Sequence, residues 1–206
     1  MLKIIGRTSS ANVQKVLWLC EEMGLTYERE DAGLHFGRTR DPDYVEMNPN
    51  SLVPTIIEDD GFVLWESNSI TRYLAAKHKS PLLPADLKER ALAERWMDWQ
   101  LAVLGPALGP VFQGLVRQKP EERNMKAIGE ARDRSARAIS IMEHYLKRQD
   151  YLAGPRFTVG DIPCGIFAYR WFNLDIKRED YPGVKRWYDR LAQRPAYKKH
   201  IMIKMS

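Results

Sequence analysis

The sequence predicts an α/β unit followed by an all-helical one, and three observations carry that expectation. Apolar strand-like and helix-like patterns alternate through the first eighty residues. Two short β-rich runs there, "TIIE" and "FVLW", are separated by "DDG", a hairpin signal. Beyond "KSPLLPAD" the alternation stops, and only helical periodicity continues.

Taken in order, "LKIIG" is a short apolar strand, after which Val13, Val16, Leu17, Cys20 and Met23 share one helical face. Gly24 supplies the stop. "TYERE" alternates as a second strand, "DAGLHFGRTRDP" is loop, and "DYVEM" makes a short helix before "NPNS" turns the chain. The hairpin follows. Ser67 is then the expected N-cap of a helix whose apolar face holds Ile70, Tyr73 and Leu74. The first two strands, separated by a helix, should run parallel through a right-handed crossover. In the second half, a long helix through Trp96, Trp99, Gln100 and Val103 should kink at "GPALGP". Ile128, Ser135, Ile139, Met142 and Leu146 mark another, and Val184, Trp187, Tyr188 and Leu191 a further one. "TVGDIPCGIFAYRWF" is apolar nearly all round and reads as a buried central helix, with Thr158 and Asp161 as a capping box.

Composition narrows the function. The 206 residues carry a net charge of +5, but residues 1–80 hold 9 Lys and Arg against 12 Asp and Glu, and the remainder 23 against 15. The basic residues are spread over helical faces without an aromatic stripe, which argues for a solvated surface rather than nucleic acid. The basic ending "RPAYKKHIMIKMS" reads as a solubilising tail. Apolar runs fall short of a bilayer span, and the first residues lack signal-peptide features. Two cysteines make no disulfide framework and suit a reducing cytoplasm. The four histidines, at 35, 78, 144 and 200, lack ligand spacing, so no metal site is expected.

Residues 50–74, "NSLVPTIIEDDGFVLWESNSITRYL", hold more than a hairpin needs. Pro54 is compatible with the plain start of an edge strand. It equally suits a chain edge that receives an extended peptide. Ser67 serves as a helix cap or as a hydroxyl donor to a carboxylate at the helix N-terminus, and both roles are compatible.

The segments "SSANVQKVLWLCEEMGL", "NPNSLVPTIIEDDGFVLWESNSITRYLA", "RWMDWQ", "FTVGDI" and "RLAQRPAY" occur in the order found in soluble glutathione transferases. The chain resembles that family over nearly its whole length, specifically its bacterial theta/beta-like serine type. The resemblance implies a thioredoxin-like, glutathione-binding domain over residues 1–80, an all-helical domain over 86–206 that lines an electrophile site, and a homodimer. It implies a cis Val53–Pro54 bond, with the backbone of Val53 pairing to the cysteinyl unit of glutathione. Glu66 would accept from the γ-glutamyl ammonium, while Ser67 and the helix N-terminus hold the carboxylate. Many relatives place Lys just before the Val-Pro pair, where this chain has Leu52. Arg40 is therefore the candidate for the glycyl carboxylate, with Arg38 and His35 on the same loop as alternatives.

The same resemblance assigns the chemistry. A free thiol titrates near 8.5, so an enzyme using glutathione as nucleophile must stabilise its thiolate. Ser10, six residues before Val16, matches the serine of theta- and delta-like members. Thr8 and Ser9 are further hydroxyls that serve equally as caps. Asn12 stands where most theta-like members have proline and is a second candidate donor. The activity implied is conjugation of glutathione, as co-substrate, to small hydrophobic electrophiles. The alternatives are a glutathione-dependent peroxidase or disulfide reductase at the same site, or a non-catalytic interaction protein of this fold. No cysteine occupies the catalytic turn; Cys20 and Cys164 are expected in the core. Trp99, Leu104, Phe112 and Tyr169 are candidate pocket residues.

Overall fold

Ile4 and Ile5 are adjacent in Leu2–Ile5 (β1) and both buried, so this strand is covered on both faces. The computed structural model describes residues 1–206. Its first unit, Met1–Leu83, is built on a sheet of order β2-β1-β3-β4, with Tyr27–Glu30 as β2, Thr55–Ile57 as β3 and Val63–Trp65 as β4. β1 pairs parallel with β2 and antiparallel with β3, and β3–β4 is the hairpin. Ala11–Glu22 (α1) crosses between the parallel strands and buries Val13 through Cys20. It packs against Ser67–Lys77 (α3), and Pro42–Met47 (α2) is the short helix before the turn.

The β1–α1 turn is fastened by Gly6 N–H to Glu30 O (2.8 Å) and Arg7 N–H to Ala32 O (3.1 Å). Gly6 is required there: at φ 152° a Cβ would come within 2.5 Å of Val13 Cγ2.

The turn into β3 is held by two buried side chains. Tyr44 Oη donates to Leu52 O (2.6 Å) and lies 2.9 Å from Thr55 Oγ1. Asn48 Nδ2 donates to the same two oxygens at 2.9 and 3.0 Å, while its Oδ1 accepts from Asn50 N–H at 3.1 Å. Leu52 and Thr55 flank Val53–Pro54, whose peptide bond is cis. A polar network closed on both sides of the step leaves that segment one conformation.

The second unit, Pro84–Ser206, is helical. Asp86 caps Leu87–Trp99 (α4) by accepting from Lys88 N–H and Glu89 N–H. Gly105–Phe112 (α5) continues the same rod, and Met125–Leu146 (α6), Asp161–Asn173 (α7), Pro182–Ala192 (α8) and Pro195–His200 (α9) complete the unit. α5 and α8 pack on α6, and α4 on α7. Gly160 lies directly against α4, where a Cβ would meet Ala93 O at 2.5 Å.

Four expectations change. "GPALGP" does not end the rod: π-helical turns at 100–104 and 113–117 flank α5 and absorb the bonds that its prolines cannot donate. Leu87–Arg117 is thus one helix of 31 residues, long and apolar enough by length and composition to cross a bilayer, contrary to the reading from run lengths. In this fold Leu104, Leu108, Val111 and Phe112 are buried, and α5 packs on α6 and α7. The basic ending is no solvated tail, because α9 buries Ala196 and Tyr197, and Tyr197 Oη donates to Gly165 O at 2.8 Å. Finally, Ser67 is the first helical residue of α3 rather than its cap; Glu66 holds the cap position at φ 73°.

The expected capping box forms only in part: Asp161 reaches back to Thr158 N–H, but Gly160 holds the cap position of α7 and Thr158 Oγ1 accepts from Gly160 N–H at 3.3 Å instead of from Asp161 N–H. Fully buried Asp161 accepts from Thr158 N–H and Oγ1–H, Leu152 N–H and Trp187 Nε1–H at 2.9–3.2 Å. This one carboxyl ties α7 to α8 and to the preceding loop. Burial pushes it up to about 6 against those donors.

Two outcomes are expected. Asn48→Ala should lower unfolding stability by about 2 kcal/mol in urea melts, since it removes one buried and two part-buried hydrogen bonds. For Asp161 the folded value lies above the unfolded one of about 4, so the folded state binds the extra proton between the two. Unfolding free energy should therefore fall by up to ~3 kcal/mol as pH rises from about 4 through about 6. Comparison of pH-dependent melts with Asp161→Asn checks this: the variant should lack that slope, and parallel curves would exclude it.

Candidate glutathione site

Five of the seven expected site residues line one small cleft of the first unit: Asn12, Val53, Pro54, Glu66 and Ser67, together with Asn48, Asn50, Leu52 and Trp65. Ser10 and Arg40 are not among its lining residues.

Each wall follows from the local fold. The Tyr44–Asn48 network sets the Val53–Pro54 edge, and Val53 makes no backbone hydrogen bond within the chain. Its N–H and C=O are therefore available to an added extended segment. The hairpin returns the chain along β4 to Glu66, whose φ of 73° and ψ of 104° are costly for a residue with a Cβ. That conformation turns the chain directly into α3, and no side chain caps its first N–H groups. Ser67 is buried, its Oγ accepting from Lys15 Nζ at 3.4 Å and its carbonyl from Thr71 Oγ1 at 2.7 Å. An anion is favoured at such a helix start.

Ser10 is the N-cap residue of α1 in position but not in bonding: its side chain makes no cap hydrogen bond, and its backbone is extended at φ −81°, ψ 122°. It is buried, whereas Ser9 is half-buried and Thr8 exposed in the preceding turn. Asn12, at the second position of α1, is exposed and faces the cleft.

The cationic candidates separate clearly. Arg38 is held by Asp43 (2.6 Å to each oxygen), Glu30 (3.0 Å) and Asp41 (3.3 Å), and these bonds push its guanidinium further above its usual range. The same pairing lowers Asp43, while Glu30 is lowered first by its bond from Lys3 and then by that from Arg38. His35 stacks on Phe36 at 4.0 Å. Arg40 is exposed, with no ion pair.

Both cysteines are free and buried, and burial raises the Cys20 thiol to about 12, far from a reactive thiolate. Of the pocket candidates, Leu104 and Phe112 are core residues of the second unit, with Arg170 over the Phe112 ring at 3.9 Å. Tyr169 Oη donates to Ile203 O. No group of three His, Cys, Asp or Glu side chains is placed to hold a metal.

Sequence reasoning missed Asn48, Asn50, Trp65 and Lys15. The "NPN" turn signal was the only pointer to the first two. Lys15 had none, since a lysine in a helix is ordinarily exposed.

Comparison with known proteins identifies the family. Residues 9–77 match the model for the glutathione S-transferase N-terminal domain, and residues 102–195 that for the C-terminal domain. The chain is 40% identical over 208 residues to glutathione S-transferase GstB of Escherichia coli, covering 100% of both chains. It is 29% identical over 191 residues to the E. coli disulfide-bond oxidoreductase YfcG, covering 90% of this chain and 87% of that one. Among solved structures, a theta class glutathione S-transferase from Xanthomonas axonopodis pv. citri with glutathione bound superposes with a TM-score of 0.96. It is 41% identical to this chain, covering 100% of this chain and 99% of that one. The chain therefore belongs to the glutathione S-transferase family, and is by that membership a transferase.

Proposed function

We propose that the chain binds glutathione along the Val53–Glu66 cleft and conjugates its thiolate to small hydrophobic electrophiles. The observation that carries this is the convergence, in one cleft, of an unpartnered Val53 backbone, the start of α3 and the start of α1. Binding of glutathione by the 41%-identical Xanthomonas protein supports the ligand.

In this reading Val53 pairs with the cysteinyl backbone, Ser67 and the first N–H groups of α3 hold the γ-glutamyl carboxylate, and Glu66 accepts from the ammonium. Arg40 remains the assigned partner of the glycyl carboxylate, and its exposed position leaves it free to reach a ligand. The sulfur then lies at the N-terminus of α1, where Ser10 and Asn12 donate to it and the helix dipole favours negative charge. That the Ser10 hydroxyl is not spent on capping supports its role; that Asn12 faces the cleft supports a shared one. The thiol proton leaves to solvent. Sulfur attacks the electrophilic carbon, a C–S bond forms, and the leaving group departs with its electron pair.

Thiol–disulfide exchange at the same site is the second reading, supported by the likeness to YfcG. A homodimer and a cytoplasmic location complete the proposal. Family membership supports the first, and two buried free thiols suit the second.

Ser10→Ala and Asn12→Ala test the donors. Turnover of an aryl halide with glutathione should drop on the order of 10²-fold in kcat/KM for Ser10→Ala, and less for Asn12→Ala. A reversed order reassigns the donor, and unchanged turnover in both variants removes this mechanism. A small aliphatic disulfide tried alongside distinguishes the two readings: preference for the disulfide favours reductase.

A further inference from the structure

Gly183, Arg186, Trp187 and Arg190 recur along α8 at i, i+3, i+4 and i+7, so the four share one helical face. That face borders a cleft of about 510 Å³ in the second unit, whose other walls are residues 146–150 at and after the end of α6, with Gly154 and Pro155. The volume suits a small molecule, and the cleft shares no lining residue with the candidate glutathione site. Its floor is fixed. Trp187 is buried with its Nε1–H on Asp161 at 2.9 Å, and a Cβ at Gly183 would come within 2.8 Å of the Leu146 carbonyl carbon.

The walls carry more positive charge than the fold uses. Lys147, Arg148, Arg186 and Arg190 line the cleft, against the single carboxylate of Asp150. Asp150 is committed to Arg190 at 2.9 Å, and its carbonyl accepts a second Arg190 N–H at 2.7 Å. Arg186 donates to Leu146 O at 3.3 Å, which answers the negative end of α6. No other protein group takes its remaining donors. Arg148 is exposed and makes no ion pair or side-chain hydrogen bond. Lys147 reaches only Glu143, at 3.9 Å, and both oxygens of that carboxylate already accept from Gly183 N–H and Val184 N–H. Elsewhere on α8 the charges are matched, as Lys185 is by Asp189 at 2.6 Å. Capping one helix end requires one cation; Lys147 and Arg148 on one side and Arg186 on the other add charge that nothing in the cleft lining balances. A concave wall concentrates the resulting field.

We propose that this cleft binds a small molecule bearing a diphosphate group. A carboxylate brings one negative charge and a phosphate monoester about 1.5 to 2, whereas a diphosphate answers the three surplus cations together. The planar forks of Arg148 and Arg186 suit phosphate oxygens, and Lys147 adds a point charge. The site is independent of the glutathione reading, because it lies wholly within the second unit.

The experiment measures calorimetric binding of inorganic pyrophosphate, ADP and succinate at about 0.15 M salt to the parent, Arg148→Ala, Arg186→Ala, Arg186→Lys and Lys185→Ala. The parent should bind pyrophosphate and ADP and bind succinate far more weakly. Arg148→Ala and Arg186→Ala should each weaken pyrophosphate about tenfold or more, and Arg186→Lys should recover part of the loss. Lys185→Ala, which removes the same charge outside the cleft, should bind as the parent does. Equal affinity for ADP and pyrophosphate supports a site for the diphosphate alone, and tighter ADP supports one for a nucleotide. Arg148 has no partner to lose, so its variant should fold, and glutathione turnover in it should match the parent's. Absence of pyrophosphate and ADP binding by the parent, succinate binding as tight as pyrophosphate, or equal weakening by Lys185→Ala and Arg148→Ala would overturn the proposal while leaving the glutathione reading intact.

Discussion

The carbonyl of Leu52 is the point on which the first unit turns. Two buried donors, from Tyr44 and Asn48, converge on it, and the same pair reaches Thr55 Oγ1 two residues beyond Pro54. Because buried polar groups are expensive to leave unmade, this arrangement selects one path for the chain across the sheet edge. Everything the cleft offers follows from that path: the unpaired Val53 backbone, the register of β3 on β1, and through the hairpin the arrival of Glu66 and Ser67 at the start of α3.

The helical unit uses the same device once more. Asp161 gathers donors from Leu152 and Thr158 in the loop before α7 and from Trp187 of α8. Glu143 repeats it on α6, accepting from Gly183 N–H and Val184 N–H at the start of α8. Buried carboxylates at helix starts thus join elements that apolar packing alone would leave free to slide. At the candidate ligand site the logic is inverted. The start of α3 has no side-chain cap, and behind it Lys15 Nζ donates to Ser67 Oγ. A helix start satisfied internally serves stability; one left open suits a visiting carboxylate.

Much of this was legible in the sequence because it depends on local chemistry. Alternation and turn residues revealed the strands and hairpin, and the Thr158–Asp161 spacing revealed their buried contact. The errors came where tertiary contacts decide. Ser67 was displaced by one position because the cap is set by the backbone of Glu66, not by hydroxyl chemistry. The basic ending looked solvated because its charges outnumber the one tyrosine that anchors it. Prolines 106 and 110 promised a break that π-helical turns absorb. Lys15 escaped notice altogether: nothing in a helical pattern separates a buried lysine from an exposed one. The cation for the glycyl end was the least legible feature, since the exposed Leu52 replaces the usual lysine and Arg40 stands outside the cleft.

The central claim is that this scaffold makes a bound thiol more acidic. Thiolate absorbance of glutathione bound to the parent protein, followed across pH, tests it without requiring the natural electrophile. The account predicts titration about one unit or more below the free thiol's value of about 8.5. A bound thiol that titrates as it does in free solution would contradict it.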